Sequence, residues 1–365
     1  MTTATIPMAT HAGPSRAVSA PDANADRAFA SSLLQYRDAV IEEMSGIIAA
    51  KRFQRHLAAR LAEYPLRAGK GLRPALCLAT CEAFGGRRSD ALPSAVALEL
   101  FHNAFLVHDD IEDESSHRRG EPTIHQKYGL AIAINIGDAL SVLAMTPLLG
   151  NLEVIGLGRT LRIFREIERM ARESVEGQAM ELDWVKTGEW NLTEHDYYVM
   201  TRKKTCWYTC ITPCRIGAII AGARADRVRA LMQFGRCLGI AFQIQDDVLN
   251  LAGEQDIYGK ESAGDIWEGK RTLMLIALMQ RASIRERHKL LRIMSAARCD
   301  KTEPDVRWVV ETMHKHDCIE YGRAISRRFA RNAGIQFETA MGDLPETTHK
   351  QFLQDMIAYV IRRDQ

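Results

Sequence analysis

The stretch DRVRALMQFGRCLGIAFQIQDDVLNL, residues 226–251, carries apolar or small side chains around most of a helical circumference. Val228, Leu231, Gly235, Leu238 and Phe242 recur at spacings of three and four, the helical period. A helix of this kind is predicted to be buried at the centre of a bundle, where its polar residues need partners. The same period governs most of the chain from Ala28 onward. Strand-like alternation is confined to Ile132, Ile134 and Ile136, inside a longer Ala/Leu/Ile stretch that also suits a buried helix, and helix is expected there. Breakers at Tyr64-Pro65, Phe84 to Pro93, His117 to Pro122, Thr187 to Asn191, Gly253 to Gly269 and Cys299 to Pro304 mark a helix-loop-helix rhythm. With no Pro/Gly/Ser linker and no repeat of 30 to 50 residues, residues 28–365 are expected to form one all-α domain. Residues 1–27, rich in Ala, Thr, Ser and Pro, are expected to be a disordered leader.

The chain has 365 residues, 46% hydrophobic and 26% charged, as befits a globular protein with a large core. Its 48 Lys and Arg against 46 Asp and Glu leave +2, so no chain-wide field favours nucleic acid or an anionic membrane. The apolar stretch from Gly129 to Gly150 is broken by Asn135 and Asp138 before the roughly 18 uncharged residues of a membrane span, and none is expected. Eight Cys without a CxxC pair or a secretory signal point to reduced thiols and a cytoplasmic protein.

Carboxylates stand where such a chain can least tolerate them. Leu106-Val107-His108-Asp109-Asp110-Ile111-Glu112-Asp113 places four acids directly after an apolar run. On a helix Asp109 and Asp113 lie about 40° apart on nearly one face, with Asp110 flanking. Gln243-Ile244-Gln245-Asp246-Asp247-Val248-Leu249-Asn250 repeats the spacing late in the buried helix, with Asn in place of the third acid. Two such faces on one cavity would offer oxygen ligands without Cys or His, the chemistry of Mg²⁺ rather than Zn²⁺. Mg²⁺ held by few carboxylates completes its shell with water and phosphate oxygens, which points to a phosphate or diphosphate ester as substrate. Cations accompany the acids: Gly69-Lys70-Gly71-Leu72-Arg73-Pro74, Arg118-Arg119-Gly120, Lys203-Lys204-Thr205, Lys260, and Gly264 to Lys270. Each alone would be surface charge, but together they exceed what one phosphate group needs and suit two diphosphates.

These residues resemble the trans-prenyltransferase family, the isoprenyl diphosphate synthases that make geranylgeranyl and farnesyl diphosphates. The likeness runs from about Leu66 to Thr272 through GKGLRP, ELFHNAFLVHDDIED, RRGEPTIH, Gly137-Asp138, Gly177-Gln178, KKT, FQIQDDVLN and GDIWEGK, in the family's order. The resemblance implies an all-α isoprenoid synthase bundle, of the class I terpenoid synthase type, around a deep central cavity. It implies three Mg²⁺ at Asp109, Asp110, Asp113, Asp246 and Asp247, with Asn250 a departure from the commonest pattern that still offers an oxygen. Lys70, Arg73, His102 and Arg119 match the isopentenyl diphosphate site. Arg118, Lys204, Gln243, Lys260 and Lys270 match the allylic diphosphate side. Lys204, Thr205 and Gln243 match the catalytic groups, the last two placed near the cation that forms when the allylic diphosphate departs. Ala104 and Phe105 match the floor that sets chain length; the small Ala104 argues for a C20 product and Phe105 against much longer ones. The implied activity is condensation of isopentenyl diphosphate with allylic diphosphates to geranylgeranyl diphosphate, as a homodimer. Farnesyl diphosphate is the alternative product, and a same-fold terpene cyclase or a non-catalytic modulatory subunit the alternative functions.

Other patterns read as structure. Cys206, Cys210 and Cys214, at i, i+4 and i+8, match no common zinc or cluster spacing and are expected to be buried packing. His314 and His316 would point about 200° apart on a helix, which suits a surface helix better than a metal site. Trp184, Trp190 and Trp207 are expected in the core, and Arg362 and Arg363 are left outside the site.

Overall fold

The computed structural model describes residues 23–50, 53–67, 69–252 and 263–362, and the all-α expectation holds for them. The helices are α1 (Ala23–Ala50), α2 (Arg55–Leu61), α3 (Glu63–Leu66), α4 (Leu72–Ala83), α5 (Arg88–Glu112), α6 (Ile124–Tyr128), α7 (Leu130–Leu143), α8 (Met145–Thr187) and α9 (Glu194–Thr201). A π-helical segment, Arg202–Ile211, leads into α10 (Thr212–Ile220) and α11 (Ala225–Ala252). Then come α12 (Gly264–Glu268), α13 (Leu273–Arg281), α14 (Ile284–Ser295), α15 (Glu303–Lys315), α16 (Cys318–Met341) and α17 (Thr348–Arg362). The strands among the described residues, His117–Arg118 and Glu121–Pro122, pair antiparallel as a hairpin.

Helix α11 is the central helix its composition predicts. It packs along α16 on one side and against the π-helical segment on the other, and Leu231, Phe234, Ala241, Ile244 and Val248 are fully buried. Helix α5 lies against α4, α7 and α8, while α10 packs on α4, so the two acid-bearing helices form part of one bundle. Helix α7 spans Ile132 to Ile136 as expected. Capping follows sequence at several starts: Thr193 and Asp196 close a capping box on α9, and Ser283 and Glu286 do so on α14.

Helix α1 starts at Ala23, inside the segment expected to be leader; residues 1–22 lie outside the described residues. Pro65 sits within the short α3 and Pro93 within α5, each expected to mark a break. Pro65 lies in the first turn of α3, where the missing N–H would have had no intrahelical partner, whereas Pro93, the sixth residue of α5, costs one backbone bond and the helix runs through it. A π-helix, rather than an α-helix, carries the KKT residues and the thiols Cys206 and Cys210. Bulky partners could not surround it so closely: a Cβ on Gly177 would come 2.2 Å from the Lys204 backbone nitrogen. On the opposite side a Cβ on Gly239 would lie 2.7 Å from the Cys206 sulfur.

The three cysteines are buried and free, as expected, and burial pushes their thiols up. Trp184 and Trp207 are in the core, with the Arg169 guanidinium 4.5 Å over the Trp207 ring. The run from Leu130 to Thr187 is long and apolar enough to cross a membrane by length and composition. It is not one straight helix, because Gly156 has φ 79° and ψ 167°, values no helix contains.

Candidate active site

A cavity of about 880 Å³ lies between α5, α8, the π-helical segment and α11. Its wall includes Lys70, Arg73, His102, Phe105, Asp109, Arg118 and Arg119 from the first half of the chain. From the second half come Lys204, Thr205, Gln243, Asp246, Asp247, Asn250 and Lys270. Residues far apart in sequence thus converge as the family resemblance implies.

At the acidic end, Asp109 is held between Arg118 and Lys204, each 3.4 Å away. Lys204 also grips Glu181. Burial works against the Lys204 charge, but Glu181 and Asp109 outweigh it and raise its pKa. Lys270 lies 2.6 Å from Asp113 and 2.6 Å from Glu268, which likewise overcome burial and keep it charged. Burial pushes the Asp113 carboxyl up to about 7, against the pull of Lys270. Across the cavity a hydrogen-bonded chain orients the second acidic motif. Thr205 Oγ1 donates to Gln243 Oε1 at 2.8 Å, Gln243 Nε2 to Asp247 Oδ1 at 2.8 Å, and Tyr197 Oη to Asp247 Oδ2 at 2.8 Å. Burial, then the neighbouring Asp265, raises the Asp247 pKa. Asn250 spends its side-chain oxygen on the Asp265 backbone amide at 3.1 Å, which ties α11 to the start of α12.

The other end is cationic. Arg73 Nη1 donates to His102 Nε2 at 3.2 Å and Nη2 to Thr209 Oγ1 at 3.0 Å. Burial, then the neighbouring arginines, drives His102 well below its ordinary pKa. The ring is therefore neutral, with its proton on Nδ1 because Nε2 accepts from Arg73. Arg73 Nε and His102 Nδ1 are buried without a hydrogen-bond partner among the described residues, so two donors remain for a ligand. Arg119 holds φ at 56° in the hairpin turn and donates to the Arg67 carbonyl at 2.9 Å, beside Gly69.

Several expected residues fall elsewhere. Asp110 does not line the cavity: Oδ1 accepts from Arg118 Nε at 2.6 Å and Oδ2 from the Tyr64 hydroxyl. One residue past Asp109, it is rotated about 100° off the cavity face, where it serves as a counter-charge of Arg118. Asp113 also lies off the wall, behind Lys270. Of the two residues expected at the floor, Ala104 is fully buried and outside the cavity lining, whereas Phe105 is on it. Lys260 lies outside the described residues. Sequence reading missed Tyr64, Tyr197, Glu181 and Tyr208. Glu181, one turn after Gly177-Gln178 on α8, had a signal in that spacing; the tyrosines had none.

The donors fit a hard divalent cation. Asp109, Asp246 and Asp247 present only oxygen to the cavity, the preference of Mg²⁺. No cluster of three or more acidic, His or Cys residues is preassembled around one point among the described residues. A cation here would therefore complete its shell with diphosphate oxygens and water.

A family model for polyprenyl synthetase matches residues 55–313. A short chain isoprenyl diphosphate synthase from Methanothermobacter thermautotrophicus is 32% identical over 306 residues, 84% of this chain and 90% of that relative. A geranylgeranyl diphosphate synthase from Methanosarcina mazei is 31% identical over 296 residues, 81% of this chain and 86% of that relative. The crystal structure of a geranylgeranyl pyrophosphate synthetase from Pyrococcus horikoshii superposes with a TM-score of 0.81 at 30% identity, over 93% of this chain and 99% of that one. Acid-bearing helices on one cavity, cations at both of its ends, and this likeness over nearly the whole length lead to one conclusion: the chain belongs to the polyprenyl synthetase family, the isoprenyl diphosphate synthases.

Proposed function

We propose that this prenyltransferase condenses isopentenyl diphosphate with allylic diphosphates, with Mg²⁺, and stops at geranylgeranyl diphosphate (C20). The observation that carries the reading is one cavity with two cationic ends. Lys70, Arg73 and Arg119 with neutral His102 form one, and Lys204 and Lys270 beside the acidic motifs form the other. A terpene cyclase needs only a single diphosphate site. Two similar proteins named for geranylgeranyl products support the C20 endpoint, as does the Phe105 ring on the cavity wall.

Asp109, Asp246 and Asp247, with Asp113 turning in from behind Lys270, would hold the Mg²⁺, up to three ions, whose chemistry is to neutralise charge on the departing diphosphate. Lys204 and Lys270 add fixed positive charge beside that group, in a largely buried site where water screens it less than at the surface. Thr205 and Gln243, joined by their hydrogen bond on the wall of the same chamber, offer oxygen lone pairs to the positive charge left on the allylic carbon. The apolar wall of Leu106, Met200 and Phe242 keeps water from that carbon. At the other end Arg73, Lys70, Arg119 and the Nδ1–H of His102 hold the isopentenyl diphosphate so that its double bond faces the allylic carbon. No nucleophile of the protein is required.

Purified protein incubated with Mg²⁺, labelled isopentenyl diphosphate and dimethylallyl, geranyl or farnesyl diphosphate is expected to yield a C20 alcohol after dephosphorylation. No incorporation with any primer would sink the reading, and an endpoint at C15 would replace geranylgeranyl with farnesyl diphosphate. Phe105→Ala, by opening the wall, is expected to move the main product past C20, read by chromatography of the same alcohols. An unchanged spectrum would remove Phe105 from the floor.

The homodimer is part of the proposal. Leu130, Ile134, Val142, Leu149, Leu157 and Leu161 stand exposed along α7 and the first half of α8, a patch of the kind that pairs subunits. Light scattering is expected to give twice the 41.0 kDa chain mass, and a monomer would overturn the pairing. The cytoplasmic assignment is supported by the eight free cysteines, of which only Cys299 is exposed.

A further inference from the structure

The π-helical segment presents two consecutive residues to one guanidinium. The Tyr208 ring lies with the Arg73 guanidinium carbon 4.4 Å from its centroid, and Thr209 accepts from the same Arg73 at 3.0 Å. On the same side the His102 ring stacks at 6.0 Å and 28°. From the other direction the Phe105 ring meets Tyr208 edge-on, with centroids 5.7 Å apart and planes at 85°. Phe101 backs Phe105 at 6.3 Å. Tyr208 is half-buried and on the cavity wall. One ring therefore touches both the cationic end, where Arg73 and His102 keep unpartnered donors, and the aromatic group at the apolar end.

We propose that Tyr208 is a specificity-determining residue, a partition between the isopentenyl diphosphate end of the cavity and the apolar chamber that receives the growing chain. Its face fixes the plane of Arg73, so that the remaining N–H groups of the guanidinium point at the diphosphate. Its edge, set against Phe105, narrows the chamber beyond C20. The inference rests on the reading of the site as an elongating prenyltransferase. It assigns two separable jobs to one side chain, electrostatic for the ring face and steric for its bulk.

Three substitutions separate the jobs. Tyr208→Leu fills much of the space but offers no π face. It is expected to raise the KM for isopentenyl diphosphate about threefold to thirtyfold, the range of a cation–π contact, with a smaller change in kcat and no lengthening of product. Tyr208→Ala is expected to raise that KM as far and also move product past C20. Tyr208→Phe, which keeps the ring, is expected to restore affinity to within about threefold of the native protein.

Calorimetry with isopentenyl diphosphate alone reads affinity without turnover, and circular dichroism melts show that each variant is folded. Equal affinity in native protein and Tyr208→Leu would overturn the partition while the elongation reading stands. So would a Tyr208→Ala variant whose product and KM both match the native protein. If the native protein neither binds isopentenyl diphosphate nor incorporates it, the elongation reading falls, and the partition with it.

Discussion

Asp109→Ala is expected to lower kcat about a thousandfold or more while the protein stays folded. Several kcal/mol of charge stabilisation pass through the cation site, and each 1.4 kcal/mol is tenfold in rate. Of the three aspartates in the first motif, Asp109 is the one on the cavity wall, where Glu112 also stands; it is one quarter exposed and bridges Arg118 and Lys204 at 3.4 Å each. Its loss would leave Lys204 paired with Glu181 alone, and the Mg²⁺ concentration for half-maximal activity is expected to rise.

Asp110→Asn provides the contrast within the same motif. Both oxygens of Asp110 are committed to Tyr64 and Arg118, and its side chain is 1% exposed. Removing its charge leaves the buried Arg118 guanidinium with only the longer 3.4 Å pairing to Asp109, a loss of up to about 3 kcal/mol, read as a lower melting temperature. Activity is expected to fall because Arg118 moves, yet the Mg²⁺ dependence of what remains should stay near that of the native protein. A Mg²⁺ requirement displaced as far as in Asp109→Ala would show that Asp110 touches metal after all.

Gly177→Val carries the second large effect. A Cβ at this position would lie 2.2 Å from the Lys204 nitrogen, 2.6 Å from its Cα and 2.8 Å from the Lys203 carbonyl carbon. These are main-chain atoms, which cannot swing aside as a side chain end can. Overpacking of this kind costs about 1–3 kcal/mol, so the urea midpoint should fall. Turnover should fall further, by about a hundredfold, because a shift of 1 Å in the backbone that carries Lys204 and Thr205 misaligns both. Gly177→Ala is expected to change both quantities in the same direction by less. A valine variant with native midpoint and native turnover would show that α8 does not position the π-helical segment.

Much of the site was legible because its chemistry recurs at helical spacing. Asp109 with Asp113 and Asp246 with Asn250 are related by i, i+4, and the apolar periodicity of 226–251 marked the helix that is central in the bundle; Lys70 lies just before α4 and reaches the cavity from the loop rather than from a helix face shared with Arg73. The partners of these groups were not legible. Tyr64 reaches Asp110 and Tyr197 reaches Asp247 from distant segments, and a lone tyrosine has no spacing that announces such a contact. The π-helical segment escaped for a related reason. Glycines of α8 and α11, distant in sequence, lie pressed against it, and nothing in Lys203, Lys204 and Thr205 themselves marks a π-helical register.

Sequence by itself determined the fold class, the family and most, though not all, of the charged residues on the cavity, leaving out Glu99, Glu181 and Arg271, since periodicity and motif spacing are local properties carried along one chain. Only tertiary structure decided which carboxylates face the cavity and which are spent inside the protein. It withdrew Asp110 to serve Arg118 and turned Ala104 away from the chamber. It also set Tyr208 between Arg73 and Phe105. The physical reason is that a carboxylate or an aromatic ring takes its role from what it is packed against, and packing partners are chosen across the bundle rather than along it.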